Sequence, residues 1–134
     1  MKISEVSKTL NIPSATLRYY EQIGLLEEIE KKNGIRDYSK QDIERINFIT
    51  CMKKSGFKLE DIQTFINMDM TKATGPKARL EMLLRQKEIL LQEIKEKEET
   101  LKFLDYKINI YKRIIPTPKI DPISSTITAN IKSV

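Results

Sequence analysis

Ser14-Ala15-Thr16-Leu17-Arg18-Tyr19-Tyr20-Glu21-Gln22-Ile23-Gly24 is the stretch whose reading decides the fold. Ser14 can serve as an N-cap, its hydroxyl accepting from the first free backbone N–H groups, and Gly24 can end the helix. A short helix from Ser14 to about Gln22 is therefore expected. Upstream, Ile3, Val6 and Leu10 fall at spacings of three and four, predicting an amphipathic helix that stops near Asn11 and Pro13. Two short helices joined by a tight turn, with Val6, Leu10, Ile12, Leu17 and Ile23 to pack between them, form a helix-turn-helix pattern.

Working outward, Leu25 to Tyr38 has no helical period, and Asn33-Gly34 at its centre favours a hairpin turn with positive φ, hence a small two-stranded wing. Ser39 should cap a longer helix, with Asp42 at its third position and Ile43, Ile46 and Ile49 on the buried face, ending at Ser55-Gly56. Phe57, Leu59, Ile62, Phe65 and Ile66 outline a further helix. Residues 1–70 thus read as one helix-helix-wing-helix-helix unit, followed by a linker over 71–75. From Pro76, suited to a first helical turn, positions 80, 83, 87, 90, 94, 97, 101, 104, 108, 111 and 115 alternate by three and four. Nine of these eleven are apolar. Such a seam, flanked by Glu88, Glu93, Lys95 and Glu96, predicts a coiled coil over 76–115. Its contact residues are Leu80, Leu83, Leu90, Ile94, Leu101, Leu104, Ile108 and Tyr111, while Lys87 and Lys97 snorkel or fix register. A lone helix with this stripe is unstable in water, so a partner strand is implied. Pro116, Pro118 and Pro122 prevent continuation, and 116–134 is expected to be a mobile tail or to dock as an extended strand.

Composition narrows the chemistry. A chain of 134 residues is at most one small domain plus an appendage. It has no His and one Cys, Cys51, which removes Ser/His and Cys/His catalysis, His-ligated metals and any closed zinc or iron–sulfur cluster within one chain. Neither an enzyme nor a cofactor is expected, and Glu27 and Glu28 lie in a polar hairpin with no second catalytic group in view. The lone cysteine and the absence of a long apolar run or signal-peptide core fit a cytoplasmic protein. The net charge of +5 permits a nucleic-acid partner. That charge sits in the wrong half: twelve Lys/Arg face eleven Asp/Glu before Gly75, and twelve face eight from Gly75 onward. Any DNA binding by the N-terminal unit must therefore come from placement of a few cations.

Ile3-Ser4-Glu5-Val6-Ser7, Thr16-Leu17-Arg18-Tyr19-Tyr20-Glu21, Gly24-Leu25-Leu26, Gly34-Ile35-Arg36-Asp37-Tyr38-Ser39, Asp42-Ile43-Glu44-Arg45-Ile46 and Gly56-Phe57-Lys58-Leu59-Glu60-Asp61-Ile62 together resemble the DNA-binding domain of the MerR family of transcription regulators. Within it, Gly34 to Tyr38 with Cys51-Met52-Lys53 is most similar to the NmlR/AdhR-type branch of electrophile and aldehyde sensors. The resemblance implies a mainly α protein: a winged helix-turn-helix DNA-binding domain followed by a long antiparallel coiled-coil dimerisation helix. It also implies a homodimer on double-stranded promoter DNA within an overlong spacer, distorting it so that RNA polymerase engages both promoter elements.

The residues suit that role. Ser14, Ala15, Thr16 and Arg18 would let a helix approach the major groove and reach phosphates and bases, and the resemblance implies backbone contacts by Tyr19 and Tyr20. Since consecutive helix residues face different directions, one of the two tyrosines is equally suited to fill the core. Lys31, Lys32, Arg36 and Tyr38 on the wing, and Lys58 beyond it, are candidate phosphate contacts, although Glu27, Glu28 and Glu30 make the wing less basic than is common in the family. Metal-sensing relatives carry cysteines at and beyond the start of the dimerisation helix, where this chain has none, so no metal is expected. What remains as input is Cys51, the Pro-containing tail or no effector at all; Cys51 is the candidate sensor thiol for a small electrophile, with inert packing as the competing reading. A coiled-coil adaptor whose N-terminal unit binds protein is the opposing function.

Overall fold

The computed structural model describes residues 1–116; the expectation for the tail lies almost wholly outside them. It runs α1 (Ile3–Leu10), α2 (Ser14–Gln22), β1 (Lys31–Lys32), β2 (Ile35–Arg36), α3 (Lys40–Lys54), α4 (Leu59–Ile66) and α5 (Thr74–Ile114). The strands form one antiparallel hairpin in which Lys31 pairs with Arg36 and Lys32 with Ile35. Its turn is Asn33-Gly34, with φ of 53° and 76°, the left-handed pair that matches strand twist.

Local chemistry explains each boundary. Asn11 closes α1 in the left-handed conformation, its N–H donating to the Ser7 carbonyl. Ser39 caps α3 reciprocally: its Oγ accepts from the Asp42 N–H at 3.1 Å, while Asp42 accepts from the Ser39 N–H at 2.8 Å. At α2 the expected cap is different. Pro13 occupies the N-cap, its carbonyl accepting from the Thr16 and Leu17 N–H groups, so Ser14 is the first helical residue and makes no capping bond.

Residues 1–91 form one unit. Val6, Leu17, Leu25, Ile29, Ile46 and Ile62 lie at the centre of its core, fully or almost fully excluded from solvent. Two α5 side chains close the ends of preceding helices. Arg79 donates to the carbonyls of Phe65 and Ile66 at 2.9 and 3.2 Å, and Gln86 donates to that of Ser55 at 2.8 Å. α5 also begins two residues earlier than Pro76 suggests. Gly75 is a buried helical residue, because a Cβ there would collide with the Asp69 carbonyl and lie 3.1 Å from the Met70 Cα. What reads as a linker residue is a point of close backbone approach.

In the second unit, from Gln92, none of the described residues is buried. Along α5 the eight expected seam residues, Leu80 to Tyr111, are between 37% and 62% exposed in the single chain.

Candidate nucleic-acid interface

α2 is held by one face and presents the other. Leu17 and Tyr20 are buried, whereas Ala15, Arg18, Tyr19 and Gln22 are exposed and Ser14 and Thr16 half-buried. At about 3.6 residues per turn, Ser14, Arg18, Gln22, Ala15 and Tyr19 fall on one continuous side. With Pro13 taking over the cap, the Ser14 hydroxyl is left without an intrahelical task. The face combines a small residue, hydroxyls, a guanidinium and a phenol, groups that can approach a groove and bond to what lines it.

The two tyrosines separate. Tyr19 is 48% exposed, but Tyr20 is only 3% exposed, its ring in the core and its hydroxyl 3.4 Å from Lys53 Nζ, which donates to it. Tyr20 is thus a core residue and not a surface contact. Tyr38 is corrected likewise. It is 3% exposed, and its hydroxyl is buried with no hydrogen-bond partner among the described residues. Burial first, then the Glu21 carboxylate, raises its pKa above the usual phenol value, partly opposed by Arg36 and Arg18.

On the wing, Lys31 is exposed, and Lys32 pairs with Asp37 at 3.2 Å. The Met1 amino group lies 2.7 Å from the other Asp37 oxygen. These two partners, the amino group foremost, hold the Asp37 carboxyl below its ordinary range. Arg36 is half-buried and engaged: its Nε donates to Glu21 Oε2 at 2.9 Å, while Oε1 of the same carboxylate accepts from the Ile29 N–H at 3.1 Å. Glu21 therefore ties α2 to both ends of the wing. Nothing in the sequence marks it, since its partners stand 8 and 15 residues away. Lys58 is exposed just before α4, its N–H donating to Asp61 at 3.4 Å.

Cys51 is exposed near the end of α3, beside buried Met52. Its carbonyl accepts from the Ser55 N–H and Oγ at 3.0 and 2.9 Å. The packing alternative for this thiol is not what the single chain shows.

The sequence model described as "MerR HTH family regulatory protein" matches residues 1–69, and that described as "MerR, DNA binding" matches 43–106. The HTH-type transcriptional regulator AdhR of Bacillus subtilis is 38% identical over 93 residues, covering 69% of this chain and 66% of AdhR. YyaN, an HTH-type transcriptional regulator of the same organism, is 34% identical over 126 residues, covering 84% of this chain and 91% of YyaN. Among solved structures, HiNmlR, a MerR family regulator lacking the sensor domain and bound to promoter DNA, superposes with a TM-score of 0.71 at 25% identity. That match covers 84% of this chain and 90% of HiNmlR. A MerR family protein from Listeria monocytogenes gives the same TM-score at 27% identity over 100% of this chain and 99% of its own.

Proposed function

Because the chain belongs to the MerR family of helix-turn-helix DNA-binding transcription regulators and lies with its AdhR/NmlR-like branch, we propose that it works as a homodimer on double-stranded promoter DNA, changing the shape of the DNA to control RNA polymerase. The observation that carries this reading is the exposed side of α2, where Ala15, Arg18 and Tyr19 are exposed, with Ser14 half-buried beside them, on a helix fixed from behind by Leu17 and Tyr20. A helix held so can enter a major groove without rearranging its own core. Arg18 is the base-reading candidate. Tyr19, Thr16 and the wing cations Lys31, Lys32 and Arg36, with Lys58, are the candidate backbone contacts. The exposed seam on α5 supplies the second copy's docking face, and a two-fold dimer requires a near-palindromic operator. Bending and untwisting of the spacer then acts as the switch, since deformation energy decides which promoter geometry polymerase meets.

Cys51 is the proposed input. Its thiolate sulfur adds to the carbonyl carbon of an aldehyde and the oxygen takes a proton, giving a hemithioacetal without any further reactant. Supporting this are its exposure and the AdhR/NmlR likeness. Footprinting on the chain's own upstream DNA, with and without aldehyde, tests both levels. The expected result is a protected near-palindrome whose cleavage pattern changes on aldehyde addition. A folded protein that protects no site at low salt overturns the DNA reading. Cys51→Ser should keep the footprint and lose the aldehyde response in reconstituted transcription; an undiminished response overturns the thiol assignment alone.

A further inference from the structure

We propose that the groove between the α1–α2 turn and the last turn of α3 is a seat for a DNA backbone phosphate, with Lys53 and Lys54 as its cations and Tyr20 as the residue that positions Lys53. The proposal rests on the DNA-binding reading and adds to it an anchoring site outside both α2's exposed side and the wing.

The groove holds about 390 Å³ and is lined by Asn11, Ile12 and Pro13 of the α1–α2 turn, by Thr16 and Tyr20 of α2, and by Thr50, Lys53 and Lys54 of α3. No acidic side chain lines it, and neither lysine is paired with a carboxylate among the described residues. Both are exposed. Lys53 is nevertheless held: its Nζ sits 3.4 Å from the Tyr20 hydroxyl and 5.9 Å from the centre of the same ring. A buried tyrosine whose hydroxyl oxygen accepts from a surface ammonium is a specific arrangement for a flexible side chain, whose rotamer freedom would otherwise be lost only on binding.

On α2, reckoned at 3.6 residues per turn, Glu21 borders the exposed side at the Ser14–Arg18 edge and Thr16 borders it beyond Tyr19. Glu21 leads to Arg36 of the wing at 2.9 Å; Thr16 leads to the lysine groove. The presented side of α2 is thus flanked by one cationic group on the wing side and two on the α3 side. A helix in the major groove, roughly 12 Å wide, has a row of phosphates on either wall. The wing meets one row, and the Lys53–Lys54 groove meets the other. This also bears on the charge balance: an N-terminal half with almost no net charge needs its few cations beside the groove walls, and Lys53 and Lys54 stand there clear of acids, whereas Arg36 shares its charge with Glu21.

The test is the salt dependence of binding by the full chain to operator and to random duplex, for the wild type, Lys53→Gln, Lys54→Gln, Lys53→Arg and Tyr20→Phe. Each glutamine variant should lower the slope of log K against log salt by about 0.9 per protomer, roughly double that per dimer, and weaken operator and random duplex by the same several-fold factor. Lys53→Arg should restore the slope. Tyr20→Phe keeps the ring and the charge, so it should weaken binding with the slope unchanged. Lys54→Gln removes no hydrogen bond or ion pair seen in the fold, so its result stands even if Lys53→Gln lowers stability. Wild-type slope and affinity in both glutamine variants, with Arg18→Ala still impaired, overturn the groove and leave the DNA reading intact. A loss confined to operator DNA with the slope unchanged also overturns it. A wild type that binds neither duplex fails the DNA reading itself.

Discussion

α2 and α5 both leave one side uncovered in the single chain, and the two sides differ in kind. On α2, Leu17 and Tyr20 are packed away and what faces solvent is Ala15, Arg18, Tyr19 and Gln22. Water solvates such a surface well, so α2 is complete as it stands, and on the proposed reading DNA would engage it reversibly, in competition with salt. α5 exposes Leu80, Leu83, Leu90, Ile94, Leu101, Leu104 and Ile108 along its seam, interrupted by Lys87 and Lys97, and only Gly75 of its 41 residues is buried. Water cannot satisfy that stripe, so most of the helix depends on a second apolar surface. An uncovered polar face marks an intermittent ligand; an uncovered apolar seam marks an obligatory one.

The largest effect that could break this contrast comes from the seam. Ile94→Asp places a charge mid-stripe, and we expect sedimentation at micromolar concentration to show monomer. A persisting dimer would mean that α5 is not the main contact. Next, Leu17→Ala empties part of the packed side of α2 and should cost about 2–5 kcal/mol in urea unfolding. A loss below 1 kcal/mol would mean that α2 is not held by its core face. Arg18→Ala acts on the opposite side of the same helix. Operator affinity should fall by roughly 1–3 kcal/mol while the melting temperature stays put, and a shift in melting instead would assign Arg18 to the fold. The smallest change, Ser39→Ala, removes the α3 cap and should lower stability by about 0.5–2 kcal/mol with operator affinity per folded dimer unchanged. Reduced affinity of the folded fraction would show that α3's start is coupled to DNA.

Elements set by local chemistry were legible in the sequence. Asn33-Gly34 demanded a left-handed turn, Ser39 and Asp42 a reciprocal cap, and the 3–4 alternation after Leu80 a long helix, because each depends on neighbours within a turn or two. What escaped were facts belonging to the space between elements. Tyr38 reads as a surface contact, and which of Tyr19 and Tyr20 fills the core stays open, because a tyrosine's amphipathic side chain fits a phosphate or a core equally well, and only the packing of α3 and the wing decides. Ser14 lost the cap to Pro13, whose carbonyl already closed the turn. Gly75 looked like linker because no sequence rule foretells the close approach of Asp69. The Glu21 clamp and the Lys53–Lys54 groove need residues far apart in the chain to be brought together.

The Glu21 clamp has a kinetic consequence. A hairpin of two residue pairs does not hold itself together in water, yet one carboxylate grips the Ile29 amide at its entry and the Arg36 guanidinium at its exit. A wing clamped in this way is fixed in the folded chain, so on the proposed reading little loop entropy remains to be surrendered to a duplex. Release the grip, and the expected signature is slower capture of DNA from solution, with the lifetime of the finished complex little altered.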